Sequence, residues 1–172
     1  MTYRDDISGI GADHHWDFDG DSVDQIGSVN GTDTSILYTS SAIAEDATNC
    51  AETNAVADRV ALATTTNINN SAQARKAVGG WFMATTIQTP PRRIYGEGTE
   101  LTGFQFILAY GNTCLLEVIE PTNFNIQVIT DRPLVPNRAY HLLGIFSGNA
   151  YDDEVSFYLD GVKQALTVPA NP

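Results

Sequence analysis

The stretch Glu154-Val-Ser-Phe-Tyr-Leu-Asp160-Gly161-Val162-Lys-Gln-Ala-Leu-Thr-Val168 decides the fold. Asp160-Gly161 supplies the two positive-φ positions that a tight two-residue hairpin turn requires. Val155, Phe157 and Leu159 alternate on one side of the strand before the turn, which marks that side as the core face. The chain therefore turns back on itself as two antiparallel strands.

Further strands are readable on the amino-terminal side of this hairpin. Residues 139–146 are nearly all apolar, as expected of a strand in mid-sheet or covered on both faces. Residues 114–119 and 124–130 continue the β pattern. Phe104, Phe106, Leu108 and Tyr110 fall on one face, with Gln105 and Ala109 on the other. Residues 80–87 form another β-rich run, and Val60 and Leu62 alternate with small or charged neighbours. Helix signals are poor. The one stretch with good helix formers is interrupted by Thr48, Asn49, Thr53 and Asn54, leaving at most a short helical turn over residues 51–57. Many short strands separated by turn clusters predict an all-β fold, an antiparallel two-sheet β-sandwich or jelly roll.

Charge narrows the function. Twenty-one acidic against nine basic side chains give the 172-residue chain a net charge of -12. Ten of the acids lie in the first 50 residues beside a single base, Arg4. Such a surface repels a bare nucleic-acid backbone and an anionic membrane. No run reaches the roughly 18 to 20 apolar residues of a membrane-spanning helix. The start, Met-Thr-Tyr-Arg-Asp-Asp, has no apolar core of an export signal. Hydrophobic residues, at 42%, are enough for a packed core. Cys50 and Cys114 read as two reduced thiols, with a single long-range bridge as the alternative.

The last strands carry a resemblance. Arg138-Ala-Tyr-His-Leu-Leu-Gly-Ile-Phe-Ser-Gly-Asn, followed by Val155-Ser-Phe-Tyr-Leu-Asp-Gly-Val, resembles the end of the concanavalin A-like, laminin-G-like jelly roll. Tyr140 stands where that family often has Trp. Tyr3-Arg-Asp-Asp-Ile, His15-Trp-Asp-Phe-Asp-Gly and Asp24-Gln-Ile-Gly-Ser-Val-Asn-Gly-Thr look like the opening of such modules in phage and bacterial surface proteins. Gly80-Trp-Phe-Met resembles the family's central Trp-containing strand. The resemblance implies an amino-terminal arm over residues 1–12 and a laminin-G-like sandwich over 13–172. The family adds strands after the Tyr-x-Asp-Gly hairpin, so more chain or a partner is expected to cover that edge.

The function it implies is a non-catalytic phage virion module: a capsid decoration, fibre or tail component, made in the host cytoplasm. Such a module docks on other virion proteins, associates with its own copies, and displays loops to host-surface glycans. The alternative is a free or cell-surface carbohydrate-binding module, and a more distant one is a glycoside hydrolase. For hydrolysis, the nearest acidic pattern is Glu117-Val-Ile-Glu120. It lacks the middle Asp of the glucanase signature, and its two acids point to opposite strand faces, so both read as solvated surface carboxylates.

Two ligand sites are candidates. Asp17, Asp19, Asp21 and Asp24 offer hard oxygen ligands for calcium, which laminin-G-like modules often bind at loop carboxylates. Their spacing fails the calcium-hand pattern, because Ser22 and Ser28 occupy its glycine and terminal glutamate positions. The competing reading has Asp17 and Asp24 capping turns. Tyr95 and Tyr151 read as loop aromatics able to stack on a sugar, with Asp152 and Asp153 beside Tyr151 as hydroxyl acceptors. Trp16, Trp81 and Tyr140 read as core. The adjacent His14 and His15 cannot easily share a metal from a strand, and His141 reads as an ordinary sheet-face or core histidine.

Overall fold

The computed structural model describes residues 12, 14–40, 49–53, 58–62, 76–85, 92–99, 102–108, 113–119, 125–146 and 155–165. Among them are the strands β1 (Gly31–Thr34), β2 (Leu37–Ser40), β3 (Asn49–Glu52), β4 (Arg59–Leu62), β5 (Lys76–Met83) and β6 (Arg92–Thr99). They are followed by β7 (Thr102–Leu108), β8 (Cys114–Ile119), β9 (Asn125–Ile129), β10 (Ala139–Phe146), β11 (Val155–Leu159) and β12 (Val162–Lys163). No helix occurs among the described residues, and every strand pairing is antiparallel. None of them forms a helix long and apolar enough to cross a membrane.

The chain divides into two compact units, Met1–Thr65 and Thr66–Pro172. In the first, β1 pairs with β4 and β2 with β3. The helical turn expected over residues 51–57 does not form at its start. Ala51 lies in β3 opposite Tyr38, where the ladder to β2 supplies its backbone hydrogen bonds. Residues 54–57 lie outside the described residues. In β4, Val60 and Leu62 are half-buried while Arg59 and Ala61 are exposed, as alternation predicts.

The second unit holds two four-stranded sheets, ordered β6-β7-β8-β9 and β12-β11-β10-β5. Their inward faces meet in one core, as in a β-sandwich. Phe106, Leu116 and Val128 come from the first sheet, and Leu142, Phe157 and Leu159 from the second. In β11 burial alternates residue by residue, with Val155, Phe157 and Leu159 inward. The Phe157 ring is fully buried, 5.7 Å from Phe106 at an angle of 41°. The turn that follows has φ +50° at Asp160 and +76° at Gly161, the double positive φ expected of a two-residue hairpin. Phe104's side chain, Ala109 and Tyr110 lie outside the described residues, whereas Phe106 and Leu108 do face the core opposite Gln105.

The connection from β9 to β10 is tied down at both ends. Thr130 N–H donates to the Cys114 carbonyl (2.9 Å), and Cys114 N–H donates to Thr130 Oγ1 (3.1 Å). Leu134 enters the core, and Val135 N–H donates to the hydroxyl of buried Tyr140 (2.7 Å). Asp131 N–H donates to Oε1 of buried Gln164, just past β12 (3.0 Å). The two sheets are thus stitched by backbone groups that apolar packing alone would leave unpaired. Both cysteines are free, and burial pushes the Cys114 thiol up to about 12.

Replacing Phe157 by Ala is expected to cost about 3 to 5 kcal/mol, because both the buried ring and its packing on Phe106 are lost. Chemical denaturation of the two proteins measures this. A change under about 1 kcal/mol would place the ring outside the core.

Candidate functional site

Strand β5 is joined to β10 in register, with Tyr140 opposite Phe82 and His141 opposite Trp81. The first pair points inward, with rings stacked 5.9 Å apart. The second therefore points to the outer face of the sheet. Trp81 is 47% exposed, and its ring meets His141 edge-on at 5.2 Å. The reading of Trp81 as a core residue is corrected by this parity: Phe82 takes the inward place and leaves the indole outside. Tyr140 is in the core as expected, and Trp16 is half-buried, its Nε1–H donating to the Val29 carbonyl (2.8 Å).

The hairpin turn adds the polar half of the site. Asp160 N–H donates to the His141 carbonyl (2.9 Å), and Asp160 Oδ1 accepts from His141 N–H (3.0 Å). Asp160 Oδ2 accepts from Arg138 Nη2 at 3.0 Å. The Arg138 guanidinium also lies over the Tyr140 ring, 4.8 Å from its centroid. Trp81, Arg138, Ala139, His141, Asp160 and Gly161 line one open recess of about 540 Å³. Burial lowers the His141 pKa, and the negative charge of Asp160 offsets this only in part, so the imidazole is neutral at neutral pH. The recess thus combines an exposed aromatic plate, a neutral imidazole and a fixed Arg–Asp pair. Such a set can hold a ligand with one apolar face and several hydroxyls.

Sequence reasoning did not gather these residues. Alternation puts Trp81 opposite in parity to Phe82, and His141 opposite to Tyr140, so the outward pair was open to inference. The pairing of β5 with β10, strands far apart in the chain, has no local signal.

The residues singled out from sequence lie elsewhere. Tyr95 is not on a loop: it sits in β6, half-buried and packed against the core beside Phe106. A β-bulge explains this. Register shifts between Arg93 and Tyr95, so Ile94 is the extra residue and Tyr95 is turned inward. Tyr151, Asp152 and Asp153 lie outside the described residues. Glu117 is not a solvated surface acid. It lies in β8, an interior strand, is 8% exposed, and accepts from Gln127 Nε2 (2.8 Å) and from Gln105 Nε2. Glu120 lies outside the described residues.

Asp17, Asp19, Asp21 and Asp24 lie in the described segment 14–40. Among the described residues no group of three or more His, Cys, Asp or Glu side chains is placed to hold a metal ion. Backbone amides take the carboxylates instead. Asp17 Oδ1 accepts from Asp19 N–H (3.3 Å) and Asp21 Oδ1 from Val23 N–H (3.0 Å). Asp24 is buried and accepts from the amides of His15, Ile26, Gly27 and Val29 and from His14 Nδ1 (2.6 Å). Burial alone would raise the Asp24 carboxyl, but the His14 contact and the amide bonds outweigh it and hold the group well below the usual carboxylate range. His14 in turn stacks on Trp16 at 5.7 Å, so Asp24 organises the amino-terminal unit.

No protein-family model, no curated protein and no solved structure matches this chain.

Replacing Asp24 by Asn turns one acceptor oxygen into a donor that faces N–H groups. The expected loss at pH 7 is about 1 to 3 kcal/mol. The wild-type carboxyl ionises below its unfolded value, so its contribution is complete above the ordinary carboxylate pKa of about 4 and is lost as the pH falls towards the folded value. Denaturation of both proteins at pH 7 and pH 3 should show the gap narrowing in acid. An equal gap at both pH values would contradict the role given to the ionised carboxylate.

Proposed function

We propose that this chain is a non-catalytic recognition module, a concanavalin A-like jelly roll whose outer sheet face holds a sugar ring against Trp81. The observation that carries the reading is an indole 47% exposed on a sheet face, with Arg138, His141 and Asp160 beside it. A pyranose has a C–H face that packs on an indole and a rim of hydroxyls that needs fixed donors and acceptors. The indole is framed by polar groups rather than covered by apolar ones, which leaves its face free for an apolar ligand surface. The engagement of both Glu117 oxygens by glutamine amides supports holding over bond breaking.

The resemblance to phage virion and bacterial surface modules gives the setting: a capsid decoration, fibre or tail component that presents many copies of the recess. An open recess makes few contacts and binds weakly per site, and multiple copies raise the affinity for a glycan-covered host surface. A free or cell-surface carbohydrate-binding module would use the same residues singly.

The test is a glycan array followed by calorimetry on the wild type and on Trp81→Ala. The variant is expected to lose at least about tenfold in affinity, equivalent to about 1.4 kcal/mol, with an unchanged melting temperature. Binding that survives the substitution would move the site elsewhere.

A further inference from the structure

We infer that the recess selects an uncharged sugar, read through two neighbouring hydroxyls by the Arg138–Asp160 pair, and excludes acidic glycans. This inference rests on the glycan reading above and adds the substrate class to it.

The argument begins with the charges that meet in the recess. Arg138 and Asp160 are 3.0 Å apart, with side chains 51% and 25% exposed, so both reach solvent while neutralising each other. His141 adds no charge, since its burial favours the neutral ring. The lining therefore sums to zero within a chain of net charge -12. A polyanionic glycan would approach against the field of the whole chain, and nothing in the recess offers a net positive charge to offset that. A sugar carboxylate drawn to Arg138 would also be placed beside Asp160, its like charge.

Hydrogen-bonding capacity points the same way. A guanidinium has five N–H donors, and one of them goes to Asp160 Oδ2. Asp160 Oδ1 accepts from His141 N–H, and Oδ2, which accepts one Arg138 N–H, has a second lone pair to offer in a residue that lines the recess. A donor and an acceptor thus stand side by side, held in place by the turn below and by the Tyr140 ring under the guanidinium. Adjacent sugar hydroxyls each donate and accept, so one can take an Arg138 N–H while its neighbour donates to Asp160. A carboxylate or sulfate only accepts, and would leave Asp160 facing an unpaired anion. Trp81, in the same lining, offers the sugar ring's C–H face an interaction that requires no ligand charge.

Calorimetry on the full chain with dextran, mannan and galactan oligosaccharides as neutral probes, and oligogalacturonate, hyaluronan and heparin fragments as acidic ones, tests this at 20 and 300 mM NaCl. At least one neutral probe is expected to bind at least about tenfold tighter than every acidic probe, with an affinity that changes less than about twofold between the two salts. Arg138→Gln and Asp160→Asn should each weaken that binding about fivefold or more, checked against melting curves that confirm folding. Tighter Trp81-dependent binding of an acidic probe, fading with salt, would overturn the neutral class and leave the glycan reading standing. Neutral binding indifferent to both substitutions would overturn the hydroxyl clamp. Failure of every probe would overturn the glycan reading itself, and this inference with it.

Discussion

The carboxylate of Asp160 is the contact on which the site depends. One oxygen takes the His141 N–H and the other takes Arg138, while the residue's own N–H returns to the His141 carbonyl. Its φ of +50° makes it half of the hairpin turn. Closing that turn is therefore the same event as fixing the start of β10 and aiming a guanidinium. Asp tolerates the left-handed conformation better than most residues because its short side chain bonds locally, and here that bond does two tasks at once.

The sheet's two-residue period converts this local contact into two surfaces. Tyr140 and Phe82 go inward and are completed by the Val135 amide and the aromatic core, whereas His141 and Trp81 go outward one step along the same strands. The stability of the second unit resides on the inner surface, where Phe157 and Phe106 join the two sheets. The outer surface carries Trp81 and His141, the pair on which the proposed recognition rests, and its side chains can change without disturbing the core. The amino-terminal unit uses an acid differently. Asp24 is buried under amides and His14, so much of what reads as a calcium loop is a network of backbone caps.

The final hairpin, the alternation of β11 and the all-β class were legible because each rests on neighbours in the chain: Asp160-Gly161 for the turn, and Val155, Phe157 and Leu159 for the face. Trp81, Tyr95 and Glu117 were misplaced because their surroundings are set by strand pairing and register rather than by the residues beside them in the chain. Trp81 needed the pairing of β5 with β10, Tyr95 the bulge at Ile94, and Glu117 the position of β8 between β7 and β9 with glutamines from both. At the start of the expected helical turn the same holds, since the ladder to β2 outweighed the propensity of Ala51 and Glu52.

The chain contains two tryptophans, and they occupy opposite situations: the indole N–H of Trp16 is spent on the Val29 carbonyl, and Trp81 is open on the outer sheet face. Each gives one indole resonance in a nitrogen–proton correlation spectrum. Titration with a bound oligosaccharide should shift the Trp81 indole together with the amides of His141 and Gly161 and leave the Trp16 indole in place. A shift confined to Trp16 and its neighbours, with the Trp81 indole unmoved at saturation, would contradict the account.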